Sequence, residues 1–131
     1  MMKAIMAAVL AVWAGAAMAA DPVEGTWKTR PDDNGNFGFI AIKPCGPAFC
    51  GTLVQSFDGS GATMQSDNIG KQIVWDMQAA GGGSYVNGQV WAPDRNKTYS
   101  ASMQLTGDTL AVSGCVLGGL ICRAQDWSRV K

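Results

Sequence analysis

Four cysteines carry the clearest chemistry in the chain. Cys45-Gly46-Pro47-Ala48-Phe49-Cys50 sets two of them around a four-residue turn, and Cys115 and Cys122 flank Val116-Leu117-Gly118-Gly119-Leu120-Ile121. Neither spacing is the C-x-x-C of a redox pair, and no helix start is evident that would lower a thiol pKa. An even number of cysteines in a small exported domain reads instead as a disulfide framework. If Gly118-Gly119 is a two-residue turn, Cys115 stands opposite Cys122, within bridging reach. The expected pairs are Cys45–Cys50 and Cys115–Cys122, each stabilising by roughly 2 kcal/mol through loop closure. A long-range pairing between the two tips is the alternative.

Other chemistry is sparse. The chain of 131 residues contains no histidine, which excludes Ser-His-Asp and Cys-His catalysis and every His-containing metal site. Asp32-Asp33, and Asp58 with Asp67, are the carboxylates to weigh for calcium or glycosidase chemistry. No D-x-D-x-D-G loop exists, and Asp32-Asp33 sits among turn formers, where Asp belongs for backbone reasons. No catalytic residue, metal or cofactor is expected. Ten basic and ten acidic residues balance, so no general field favours nucleic acid or an anionic membrane.

One constellation could hold a ligand. In the last segment, Ile121, Arg123, Gln125, Trp127 and Arg129 alternate onto one face. If that face points inward, Arg123 can hold a carboxylate or phosphate, Gln125 can add an amide, and Trp91 and Tyr99, with Trp75 and Tyr85, can line an apolar space. The expected partner is a small hydrophobic or amphipathic molecule. The other reading is that these aromatics fill a small barrel as core.

The elements that must position these residues are strands. Gly and Pro punctuate the chain every eight to twelve residues, the spacing of an all-β fold, and no long 3.6-residue apolar stripe interrupts it. The expected strands are 24–30, 37–43, 50–57, 71–77, 84–91, 98–105, 109–116 and 120–130, with a polar loop over 58–70 that has room for a helical turn at 66–71. In Thr98–Leu105, Tyr99, Ala101, Met103 and Leu105 share one face and Thr98, Ser100, Ser102 and Gln104 the other, the period of a half-buried strand. Short turns in an up-and-down order favour a closed antiparallel β-barrel of about eight strands, which leaves no exposed edges.

Before this barrel lies MMKAIMAAVLAVWAGAAMAA. Lys3 is its one charge, an Ala-rich apolar run follows, and Ala17-Met18-Ala19 offers a small-residue exit. That is the pattern of a cleavable signal peptide, residues 1–19, and it is too weakly apolar for a spanning helix. A single domain, residues 20–131, is then expected in the periplasm or outside the cell, with no membrane attachment after cleavage.

Several motifs carry a family resemblance. They are the opening Asp21-Pro22-Val23-Glu24-Gly25-Thr26-Trp27, then Cys45-Gly46 and Cys50-Gly51-Thr52-Leu53-Val54, then Lys97-Thr98-Tyr99-Ser100-Ala101 and Gly107-Asp108-Thr109-Leu110. The chain closes with Gly114-Cys115 through Cys122-Arg123 and Gln125-Asp126-Trp127-Ser128-Arg129-Val130. In this order they resemble a bacterial exported family catalogued as domain of unknown function number 2147, with Gly59 to Gly83 departing most from the pattern. The resemblance implies a lipocalin-like (calycin) barrel and no established activity. Gly25-Thr26-Trp27 is similar to the G-x-W of a lipocalin's first strand, whose indole plugs one barrel end under an arginine from the last strand. Arg129 is the matching residue here, with Arg123 as the alternative. Calycins also include exported protease inhibitors, so a protein-binding barrel is the second expectation.

Overall fold

A computed structural model describes residues 20–131; the expected signal peptide, residues 1–19, lies outside the described residues. The strands are β1 (Gly25–Lys28), β2 (Phe37–Cys45), β3 (Ala48–Phe57), β4 (Thr63–Met64), β5 (Gln72–Gly81), β6 (Ser84–Ala92), β7 (Lys97–Thr106), β8 (Thr109–Val116) and β9 (Ile121–Arg129). A 3-10 turn, Leu117–Gly119, lies between the last two. All pairings are antiparallel. The order β2-β1-β9-β8-β7-β6-β5-β3 is closed by β2 pairing with β3, giving an eight-stranded barrel with β4 appended to β3.

Alternation explains why these segments become walls. On β7, Ala101 and Met103 are buried while Ser100 and Gln104 are exposed. The inward side chains converge on one core, including Val23, Trp27, Ile40, Ile42, Val74, Met77, Tyr85, Met103, Leu110, Val112 and Trp127. Each large apolar side chain fully buried there stabilises by roughly 1.5–3 kcal/mol.

The register defines two barrel ends. At one end lie the N-terminal segment, the turns after β2, β5 and β7, and the C-terminus. At the other lie the loops following β1, β3, β6 and β8. The core fills the first end. At the second, β9 is exposed on both faces from Ile121 to Asp126.

Several expected boundaries move. β1 is confined to Gly25–Lys28, shorter than 24–30. β2 runs through Pro44 to Cys45, and β3 starts at Ala48, so the turn is Gly46-Pro47 rather than four residues. Pro44 is tolerated because β1 pairing stops at Ile42, leaving β2 without a neighbour on that side. Cys45 faces Ala48 and Cys50 faces Lys43, yet Cys45 and Cys50 remain diagonal neighbours, are disulfide-bonded, and lie 5.8 Å apart at Cα. At the other tip Val116 pairs with Ile121, so the turn spans four residues instead of Gly118-Gly119 alone. Leu117, Gly118 and Gly119 all have positive φ there, which only glycine adopts freely. Cys115 still faces Cys122, and the pair is bridged with Cα atoms 4.1 Å apart.

The 58–70 segment is tied down by hydrogen bonds. The Asp58 carboxylate accepts from the Ser60 hydroxyl and the Ser60 and Ala62 amides, which hold it below the usual carboxylate range, the Ser60 side chain contributing most. Turns rather than a helix occupy 66–71, and the Gly70 amide donates to the Leu53 carbonyl. Asp32 likewise accepts from the Asn34 and Asn36 amides. Asp32 and Asp58 thus serve their own turns.

Candidate functional site

The closed end is built around Trp27. The indole is completely buried, and its Nε1 donates to the Val23 carbonyl at 3.0 Å. Val23 sits in a turn of residues 21–24 that folds under the barrel, fixed by the Asp21 carboxylate accepting from the Val23 amide. Trp27 and Arg129 are register partners across β1 and β9, and the guanidinium lies 4.4 Å from the indole ring centroid. Its nitrogens donate to the Pro22 and Glu24 carbonyls and to the Asp108 carboxylate. Arg129, not Arg123, is therefore the arginine over the indole. Gly25 has a physical reason to be glycine: its φ is +138°, and a Cβ would lie 3.0 Å from Arg129 Nη1. Asp108 also pairs with Lys131 at 2.7 Å, and these cations, Lys131 foremost, hold its carboxyl below the usual range.

Tyr85 completes this floor. Its ring is buried and its hydroxyl donates to the Asp21 carboxylate. Burial first, and the Asp21 carboxylate second, push the phenol well above its ordinary 10.0. The folded state therefore keeps a proton that the unfolded chain releases, so stability is fully present below pH 10.0 and falls as pH rises beyond it. Alkaline urea titrations should detect this decline, and Tyr85→Phe should remove most of it. An unchanged alkaline slope in Tyr85→Phe would show that Tyr85 is not its source.

The other end is a mouth. Arg123 pairs with Gly114 and Gln125 with Val112; since Val112 is buried in the core, this face of β9 points into the lumen. Both side chains are nevertheless exposed, so water reaches the lumen at their level. Gly114 offers no side chain opposite Arg123, and a Cβ there would sit 3.2 Å from Val90 Cγ1 and 3.5 Å from Tyr99 Cβ. Val90, Tyr99, Gly114 and Arg123 thus line one level of the barrel across β6, β7, β8 and β9. Gln125 Oε1 accepts from Trp127 Nε1 at 2.7 Å. That bond leaves the amide NH2 to donate elsewhere.

Trp91 is not in this group. It pairs with Thr98 on the polar outer face of β7, and its Nε1 donates to Asn96 Oδ1 at 3.1 Å. The Lys71 ammonium lies 5.3 Å from its ring centroid. The register Val74↔Val90 and Trp75↔Gln89 sets it opposite Ile73, which it helps to shield on the outer wall. Trp75, beside Gln89, also lies outside the lumen. The cause is a bulge: pairing with β7 slips between Tyr85 and Gly88, where Asn87 has φ +62°. That slip reverses the alternation that would have put Tyr85 and Trp91 on one face. A shallow cleft of about 320 Å³ lies elsewhere on the rim, lined by Gln55, Thr63, Met64, Gln65 and Ile69. It contains none of the expected ligand residues. Among the described residues no cluster of Cys, Asp and Glu could hold a metal ion.

Comparison with known proteins agrees with this architecture. The sequence profile of a family described as "Uncharacterized protein conserved in bacteria (DUF2147)" matches residues 25–129. A solved structure, described as "Protein HP1028 from the human pathogen Helicobacter pylori belongs to the lipocalin family", superposes with a TM-score of 0.69 at 15% identity, covering 86% of this chain and 85% of that one. No curated protein matches the sequence. A closed eight-stranded antiparallel barrel, plugged by an indole under an arginine, with a profile match over nearly all of that barrel, makes the chain a member of the DUF2147 family with a lipocalin-like fold.

Proposed function

We propose that the protein is a non-enzymatic, exported barrel that binds a small apolar or amphipathic molecule in its mouth. Residues 1–19 act as the export signal, cleaved after Ala19, and deliver the chain to the periplasm, where its two disulfides form. Arg123 holds an anionic end group, Gln125 adds a donor, and Tyr99 with Val90 contacts the apolar part. The observation that carries this reading is the exposure of lumen-facing Arg123 and Gln125 directly above a closed core. A guanidinium on the inner wall of a barrel, with no acidic partner bonded to it among the described residues, is suited to capture a carboxylate or phosphate in a bidentate contact.

Two measurements test it. Native mass spectrometry of protein purified from its own compartment should reveal a bound molecule. A fluorescent long-chain carboxylate should bind, and Arg123→Gln should weaken it about ten- to hundredfold, the loss expected for one charge-assisted contact of ~1.5–3 kcal/mol. No co-purifying molecule, together with equal probe affinity in the variant, would defeat the reading.

A second reading rests on the wall of β9. Only Lys28 and Trp27 of β1 pair with it, opposite Ser128 and Arg129, so among the described residues Ile121 to Trp127 have no strand partner on that side. Such an edge accepts an extended peptide, as a protein-binding or protease-inhibiting barrel would use. Pull-down from periplasmic extract separates the two readings.

A further inference from the structure

The hairpin joining β8 and β9 ends in an apolar point that no other element among the described residues covers. Leu117 and Leu120 are 69% and 84% exposed, and Val116 and Ile121 beside them are 41% and 54% exposed. Scattered exposed aliphatics are ordinary; four within six residues at one tip are not. The backbone there is also unfavourable for its sequence. Leu117 has φ +55°, a conformation that glycine or asparagine adopts at less cost, and its side chain gains no burial in return. The Cys115–Cys122 bridge closes directly beneath, tying the two strands of the point together.

We infer that this tip docks the barrel onto a lipid bilayer, inserting Leu117 and Leu120 into the interface beside the mouth. Its shape and charge favour this occupant. The tip is convex and narrow, whereas a stable dimer needs roughly 800 Å² from each partner, more than four small side chains supply. Two cations flank the tip: Arg123 two residues behind Ile121, and Lys97 at the start of the neighbouring β7. The register Ser100↔Cys115 sets Lys97 level with Gly118. Asp94 and Asp126, the nearby acids, lie in the adjacent loop and on the outer face of β9. The inference rests on the proposed ligand reading in one respect: docking here would turn the mouth toward a source of amphipathic molecules.

The test uses the mature full chain and sedimentation with vesicles of phosphatidylglycerol and phosphatidylethanolamine, compared with phosphatidylcholine alone. Binding should be stronger to the anionic vesicles and weaken with salt. The double variant Leu117→Asn with Leu120→Gln should partition at least tenfold less, with an unchanged or raised melting temperature because asparagine relieves Leu117. Lys97→Gln should reduce the preference for anionic vesicles. Val54→Thr, removing an exposed aliphatic on β3, should change neither. Vesicle binding that is absent, or equal in the double variant, overturns the inference. Capture of a periplasmic protein that depends on Leu117 and Leu120, without vesicle binding, overturns it as well. Carboxylate-probe binding in solution is read separately: intact in the double variant, it leaves the ligand reading standing whichever way the vesicles decide.

Discussion

Trp27→Ala is expected to destabilise the barrel by about 4 kcal/mol, near the upper range for a buried aromatic cut to a methyl. Three losses combine. The completely buried indole leaves a cavity beside Val23. Its bond to the Val23 carbonyl disappears, and with it the tie that holds the 21–24 turn under the floor. The Arg129 guanidinium loses the ring 4.4 Å from it, an interaction of roughly 0.5–2 kcal/mol. Urea denaturation of residues 20–131 measures the sum. Trp27→Phe keeps most of the packing and should cost distinctly less, leaving chiefly the lost Nε1 bond. Arg129→Lys keeps a charge but loses the fork that reaches the Pro22 and Glu24 carbonyls and the Asp108 carboxylate together. A double-mutant cycle between positions 27 and 129 should give nonzero coupling. A Trp27→Ala loss below about 1 kcal/mol, typical of a surface substitution, would mean the floor does not depend on the indole.

Reducing both disulfides should be nearly as damaging. The bridged residues are 5 and 7 positions apart, short loops worth about 2 kcal/mol each in the chain-entropy model. Together they should lower the melting temperature by roughly 15–20 °C in a domain of this size. The two bridges should open in order. Cys122 is exposed at the mouth, whereas Cys50 is 2% exposed within the wall, and a reductant reaches an exposed sulfur first. Partial reduction followed by thiol labelling should therefore mark Cys115 and Cys122 before Cys45 and Cys50. An unchanged melt after labelling has shown all four thiols free would contradict the stabilising role. Labelling in the reverse order would contradict the accessibility argument.

These two effects concern features legible in the primary structure. The G-x-W and the distant Arg129 are recognisable because a closed up-and-down barrel must bring its first and last strands together. The cysteine pairs are legible because each lies on one hairpin, where neighbours in sequence are neighbours in space. Both pairings survive turns of different length from those expected, since one relation is diagonal and the other directly opposed.

The candidate site was legible by halves. Alternation groups Arg123, Gln125 and Trp127 on one face of the last strand, and Tyr99, Ala101 and Met103 on one face of β7. It cannot carry parity through a bulge, so Trp91, expected beside Tyr99 in the ligand space, stands outside instead. The apolar tip gave no signal of its own, because Val116 to Ile121 read as a turn between bridged strands, and the exposure of its aliphatic side chains is fixed only in the fold.

Sequence by itself determined the class of the fold and the cysteine pairs on their hairpins, because turn chemistry and strand alternation are written in adjacent residues; the Trp27–Arg129 closure was implied by the family resemblance, and Tyr85 joins that floor only in the folded barrel. Tertiary structure alone decided which side of the wall each strand presents at the mouth, where the core stops filling the lumen, and that β1 pairs with β9 only at Trp27 and Lys28. The physical reason is register. A strand's faces are assigned by the partner it hydrogen-bonds, and a slip of one residue exchanges inside for outside; that choice is made across the barrel, not along the chain.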